Sequence, residues 1–215
     1  MADILNQAFP PVNPNVIQSF NYTDIAEGTG VSVLYGFDTK TSTTTTYHLT
    51  NQTIFSSDII LTTSSTSNWN FDLTTFNLPR TIKGTALIAG MAGCYGASGG
   101  SSTVSLVATL RHVTAGGVET DLATATSPTI ATAAYGYKAF GNFCLPLVVA
   151  EKHFKKGETL RLNIALTKGG GGDAALLGVD PANRAVPTIA FTLSGPDATT
   201  TQLMLNVPFK LDDVA

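Results

Sequence analysis

The segment Thr159-Leu160-Arg161-Leu162-Asn163-Ile164-Ala165-Leu166 alternates without a break, placing Leu160, Leu162, Ile164 and Leu166 on one side. Successive side chains point to opposite sides only in an extended backbone, so this period of two dictates a strand with one buried face. The same period recurs in Val31-Ser32-Val33-Leu34-Tyr35. It recurs again where Trp69, Phe71 and Leu73 alternate with Asn70 and Asp72. No segment keeps an apolar stripe at i, i+3, i+4 and i+7 for three turns. The alanine-rich pieces 123–126 and 131–134 are broken up by threonine, a poor helix former. The chain therefore reads as all-β.

The extended segments are separated by turn residues. Val16 to Tyr22, Thr44 to Thr50, Ile54 to Thr62, Thr103 to Val113, Val118 to Thr126, Tyr135 to Val149, Thr188 to Leu193 and Gln202 to Leu211 complete the series. About eight to ten strands at this spacing suit an antiparallel β-sandwich of jelly-roll type. Thr114-Ala115-Gly116-Gly117 predicts a hairpin turn between its two flanking strands. Pro208 lacks an N–H for the ladder, so its strand should lie at an edge or carry a bulge there. Met1 to Asn15 holds Pro10, Pro11 and Pro14 and no periodic pattern, which predicts an extended arm over 1–15 ahead of a single domain over 16–215. Ile4, Leu5, Phe9, Pro10 and Pro11 are the candidate subunit-interface residues, because apolar side chains on an arm need a neighbour's surface to bury them.

Charge is scarce. Only 13% of residues are charged against 43% hydrophobic, and the net charge is −3. Threonine, serine and asparagine supply the polar half of the alternation, as in Thr43-Thr44-Thr45-Thr46. Nucleic-acid binding rests on clustered Lys and Arg, so no nucleic-acid partner is expected. High apolar content with low net charge also excludes a disordered chain. No apolar run reaches the 18 residues that mark a membrane helix, and no membrane partner or signal peptide is expected. Cys94 and Cys144 read as two buried thiols, with a disulfide requiring that their strands be neighbours. The sequons at Asn21 and Asn51 read as by-products of abundant Asn and Thr.

Motifs that could carry chemistry are few. Gly96-Ala97-Ser98-Gly99-Gly100 fits the G-x-S-x-G nucleophile elbow, with Asp121 and His153 following in triad order. That elbow needs a helix after the serine, and a β-rich run follows instead. Lys168 precedes its glycine run rather than following it, so no phosphate loop forms. His48, His112 and His153 lie on separate segments without metal-ligand spacing, and neither a metal nor a cofactor is expected. The scattered carboxylates single out no glycosidase pair. Trp69, Tyr135 and Tyr137 are the candidate platforms for stacking a sugar, against core or interface packing as the plainer role.

The stretch His153-Phe154-Lys155-Lys156-Gly157-Glu158-Thr159-Leu160-Arg161-Leu162 resembles the F-x-x-G-[DE]-x-[LV]-x-[LV] hairpin entry of jelly-roll proteins. With Val179 to Arg184 and Leu205 to Leu211, the second half of the chain looks like virion jelly-roll proteins of tailed phages and related viruses. The resemblance implies a non-enzymatic structural protein of the virion that decorates or cements a capsid. It implies other capsid subunits as partners, a homo-oligomer with a trimer preferred, and assembly in the host cytoplasm. A carbohydrate- or receptor-binding module of a fibre or spike is the alternative, and a hydrolase using Ser98 the third reading. The resemblance transfers no catalytic residue.

Overall fold

The computed structural model describes residues 29–96, 100–132, 136–171, 174–186, 195 and 198–211. Its strands are β1 (Thr29–Lys40), β2 (Thr45–Thr50), β3 (Ile60–Thr63), β4 (Ser67–Leu73), β5 (Arg80–Gly96), β6 (Ser102–Val113), β7 (Glu119–Thr126), β8 (Ile130–Ala131), β9 (Tyr137–Phe154), β10 (Thr159–Gly170), β11 (Ala174–Gly178) and β12 (Met204–Leu211). No helix occurs among the described residues, so the all-β expectation holds there.

All twelve strands join one sheet in the order β3-β11-β5-β12-β1-β2-β4-β10-β6-β7, with β9 on β5 and β8 on β6. The central strand is β5. Along one edge it pairs β9 from Arg80↔Phe154 to Gly96↔Tyr137. Its other edge takes β12 over the first part and β11 over the last. The expectation of a wholly antiparallel sheet is corrected at one place, because β2 and β4 run parallel through His48↔Asp72 and Leu49↔Leu73. The cause is topological: after β2 the chain crosses to β3, which pairs β11 at the far end of the order, and returns beside β2.

The sheet folds over so that its two halves enclose one core. Leu160, Leu162, Ile164 and Leu166 are fully buried, as their alternation predicts, and so are Ile88, Leu147, Leu205 and Val207 from the other half. Trp69 and Phe71 point inward from β4. At one end Phe76 packs edge-on against Phe154 and Phe209, and the His112 ring meets Phe154 at 4.9 Å. Burying aromatic surface in this way is the main favourable term holding such ends shut.

Pro208 sits where the β12–β5 register shifts, so the bulge predicted for it is present, although β12 is an interior strand rather than an edge. Across from it Gly84 has φ +115, a conformation that L side chains rarely adopt. The hairpin at Thr114 is also as predicted: Gly117 N–H donates to Thr114 O and Thr114 N–H to Val118 O. Two expectations differ in extent. Ile54 to Thr62 contributes only the short β3, and β5 extends through a glycine-rich stretch that no alternation marks. The segments Val16 to Tyr22 and Thr188 to Leu193, and the arm over 1–15, lie outside the described residues.

Candidate functional site

The two outer faces of the folded sheet differ in chemistry. On the half formed by β4, β10, β6 and β7, three cross-strand rows lie on the side away from the apolar core, with Asn163 and Thr109 of the middle row buried among their neighbours. They are Asp72–Arg161–Arg111–Asp121, Asn70–Asn163–Thr109–Thr124 and Asn68–Ala165–Val107–Thr126. Only Ala165 and Val107 are apolar. Arg161 grips Asp72 with two bonds, Nε to Oδ1 at 2.6 Å and Nη2 to Oδ2 at 2.7 Å, and its Nη1 donates to Glu119. Arg111 donates to Asp121 and to the other oxygen of Glu119. The hydrogen bond to Asp72 raises the Arg161 pKa further, so this guanidinium stays charged. In the next row Asn163 donates to Asn70 at 2.7 Å. Each of these polar groups already has a partner on its own face.

On the other half, formed by β9, β5, β12 and β1, the corresponding rows are apolar. Cys144–Ala89–Met204–Tyr35 and Pro146–Leu87–Asn206–Val33 are continuous across four strands, and Val148 with Thr85, and Pro208 with Val31, extend them toward the bulge. Thr85 and Asn206 are the only polar members. Val148 is 72% exposed, and Cys144 and Pro146 are exposed beside it. Their inward neighbours Leu145, Leu147 and Val149 are buried, so β9 presents apolar side chains to both sides. A strand that is apolar on both faces ordinarily has both covered. Gly195 and Thr199 meet this second face of β9 at Lys138 and Asn142, and beyond them Cys144, Pro146 and Val148 are exposed.

Two polar clusters lie elsewhere. At one corner Asp38 and Asp180, both fully buried, are linked through Ser56. Ser56 Oγ–H donates to Asp38 Oδ1, and Ser56 N–H to Asp180 Oδ1. Arg184 donates to Asp180 through Nε and Nη2 and to Ser56 O at 2.6 Å, while its guanidinium stacks over the exposed Phe55. Burial pushes the Asp180 pKa up, but bonds from Arg184 and the Ser56 amide outweigh it and hold the carboxyl below its ordinary value. The cluster pins the 51–59 loop and the Asp180 turn onto β1. Both carboxylates are sealed from solvent and offer no open acid–base pair.

The second cluster joins His112 Nε2 to Glu158 Oε2 at 2.8 Å beneath the aromatic end, and the same carboxylate accepts the Lys155 amide. Burial acts to raise the Glu158 pKa, yet the Lys155 and His112 bonds win and lower it. This pair locks the β9–β10 turn onto β6.

Of the candidates that the sequence suggests, Ile4, Leu5, Phe9, Pro10, Pro11, Ser98 and Tyr135 lie outside the described residues. Trp69 is buried in the core at 7% exposure, which corrects its reading as a stacking platform: its alternation with Asn70 puts it inside. Tyr137 is 40% exposed. Asp121 is held by Arg111 on β6, and His153 Nδ1 lies 3.3 Å from Thr81 Oγ1 on β5. The G-x-S-x-G motif joins β5 to β6, a strand-to-strand connection without the helix a nucleophile elbow needs. Cys94 is buried and Cys144 exposed, which corrects the expectation of two buried thiols; both are free. The reason is parity: Cys94 lies on an inward position of β5 and Cys144 on an outward position of β9. No three His, Cys, Asp or Glu side chains converge on a metal position among the described residues. No helix among them is long and apolar enough to cross a membrane.

No family model and no curated protein matches the chain. Solved structures do. A CocE/NonD family hydrolase from Staphylococcus aureus is similar over 85% of this chain and 34% of its own, at 12% identity and a TM-score of 0.43. An α-amino acid ester hydrolase matches over 66% of this chain and 24% of its own, at 14% identity and 0.34. An aminopeptidase from a marine sediment Thaumarchaeota archaeon matches over 66% and 23%, at 12% and 0.35. The chain thus spans about a third or less of the length of these enzymes. These matches correct the expectation of a non-enzymatic virion decoration or capsid protein, and with it the fibre or receptor-binding alternative: all of these structures are hydrolytic enzymes, and none of them is a viral structural protein. Likeness at this level transfers no residue roles to this chain.

Proposed function

We propose that the chain is a protein-association module that self-associates through the apolar outer face of β9, β5, β12 and β1, on a doubled sheet of jelly-roll type. The carrying observation is the contrast between the two outer faces. One carries ion-paired and amide rows, while the other carries the exposed Val148, Pro146 and Cys144 beside the half-buried Leu87, Ala89, Met204, Val33 and Tyr35. Contiguous exposed apolar surface on a folded chain marks an interaction site. The absence of charge from its centre suits a surface that is desolvated on contact. A homo-oligomer is the simplest assembly because every copy carries the same face.

Val148→Lys tests it. The substitution places a charge where the side chain now stands in water, so folding is preserved while association is opposed. Light scattering should report an oligomer for the native chain and a monomer for the variant. A native chain that stays monomeric at high micromolar concentration would remove the reading.

A further inference from the structure

Three turns stand side by side at the end of the molecule that Phe76, Phe154 and Phe209 close. Residues 74–79 join β4 to β5, residues 155–158 join β9 to β10, and residues 114–118 join β6 to β7. Phe76 N–H donates to Glu158 O at 2.9 Å and Gly157 N–H to Phe76 O at 2.8 Å, which sets the first turn against the second. A Cβ added to Gly157 would stand 3.8 Å from the Ala115 Cβ, so the second turn lies against the third. Each is fixed from beneath: by the buried Phe76, by the bond between Glu158 and His112, and by the backbone bonds of the Thr114 hairpin.

The two outer turns each carry an apolar side chain that the core does not use. Leu78 is 65% exposed and Val118 64%. Between them, on the middle turn, Lys155 and Lys156 are both exposed. The carboxylates nearest these turns are already engaged. Glu158 accepts from His112 and the Lys155 amide, Glu119 from Arg161 and Arg111, and Asp121 from Arg111. Neither lysine ammonium forms an ion pair among the described residues.

A single exposed leucine or valine needs no explanation. Two on neighbouring turns, with unpaired positive charge between them, define a tip with its own chemistry. A protein partner would have to offer a separate pocket to each apolar side chain. The headgroup layer of a bilayer yields around both, and anionic lipids supply negative charge at the level of the ammonium groups. We infer that this tip docks on the surface of an anionic bilayer, with Leu78 and Val118 entering the headgroup layer and Lys155 and Lys156 meeting lipid headgroup anions. Such a contact needs no spanning helix, and with two short side chains it is reversible.

Cosedimentation of the full chain with phosphatidylcholine vesicles, with and without phosphatidylserine, tests this at a dilution where light scattering reports a monomer. The native chain should partition about twentyfold more strongly onto the phosphatidylserine vesicles, and raised salt should remove the preference. Lys155→Ala/Lys156→Ala should abolish nearly all of it, each lysine carrying about fivefold. Leu78→Asp/Val118→Asp should lower partitioning about tenfold, with Trp69 emission unchanged because both positions are exposed. Val148→Asp, on the self-association face, should partition like the native chain.

Equal partitioning onto both vesicles, or none onto either, overturns the inference. So does native-like partitioning of either double variant. Displacement by millimolar glycerophosphoserine overturns it too, since the site is then a pocket for a soluble headgroup. A loss in Val148→Asp as large as in the tip variant moves the contact to the β9 face, with the same consequence. If the aspartate variant shifts Trp69 emission, Leu78→Ser/Val118→Ser takes its place, and native-like partitioning of that variant overturns the inference.

Discussion

Leu147 and Val148 are chain neighbours on β9 with opposite surroundings. Leu147 is fully buried opposite Ala86, and Val148 is 72% exposed. Truncating Leu147 to alanine removes buried methyl groups and leaves a cavity among fully packed neighbours, which costs about 3 kcal/mol. Truncating Val148 to alanine removes methyl groups that already contact water, so what remains is the weaker strand preference of alanine, about 0.5 kcal/mol. A chain of this size unfolds with a urea slope of about 2 kcal/mol per M. The midpoint should therefore fall by about 1.5 M for Leu147→Ala and about 0.25 M for Val148→Ala. The fluorescence of Trp69, the one tryptophan and a buried one, follows the transition. Protein is kept dilute so that association does not contribute. Equal shifts, or a larger one at Val148, would refute the reasoning. A one-residue slip of β9 against β5 exchanges its faces, so that outcome would place Val148 inside and Leu147 outside.

Two further outcomes follow from the polar end and the bulge. Glu158 and Asp180 titrate below their ordinary values of 4.5 and 3.8 in the folded chain. The stability they add is complete above those values and lost as pH falls through the depressed ones, because the unfolded chain then binds more protons. Thermal unfolding should be flat from neutral pH to about 5 and fall steeply below, with Glu158→Gln making the fall shallower; an unchanged slope in that variant would count against the assignment. Gly84→Ala should destabilise by about 1–2 kcal/mol because alanine is strained at that φ. Gly30→Ala, where an added Cβ has nothing within 4 Å, should be close to neutral in the same urea titration.

Much of the fold was legible locally. Alternation named Leu160, Leu162, Ile164, Leu166, Trp69 and Phe71 as inward, and the missing N–H of Pro208 foretold a bulge. Strand β5 escaped because its glycines and alanines carry too little side chain for alternation to show. Its register is held instead by β9, β12 and β11. The candidate site left a partial signal. Phe143 to Val149 is apolar on consecutive positions, the mark of a strand with two faces to bury. Its aromatic residues are the louder feature, and nothing local distinguishes the exposed Cys144 and Val148 from their buried neighbours.

The sequence by itself determined that the chain is extended, which residues share a strand face, and that polarity is written in Thr, Ser and Asn rather than in charge. These are local properties, set by side-chain period and by the intrinsic preferences of each residue. Only the tertiary structure decided which strands lie side by side. It brought Arg111 opposite Arg161 with Asp72, Glu119 and Asp121 around them, and it aligned the outward residues of β9, β5, β12 and β1 into one apolar surface. Strand order joins residues far apart in sequence, and a period of two carries no information about which neighbour a strand will have or which of its faces will be left uncovered.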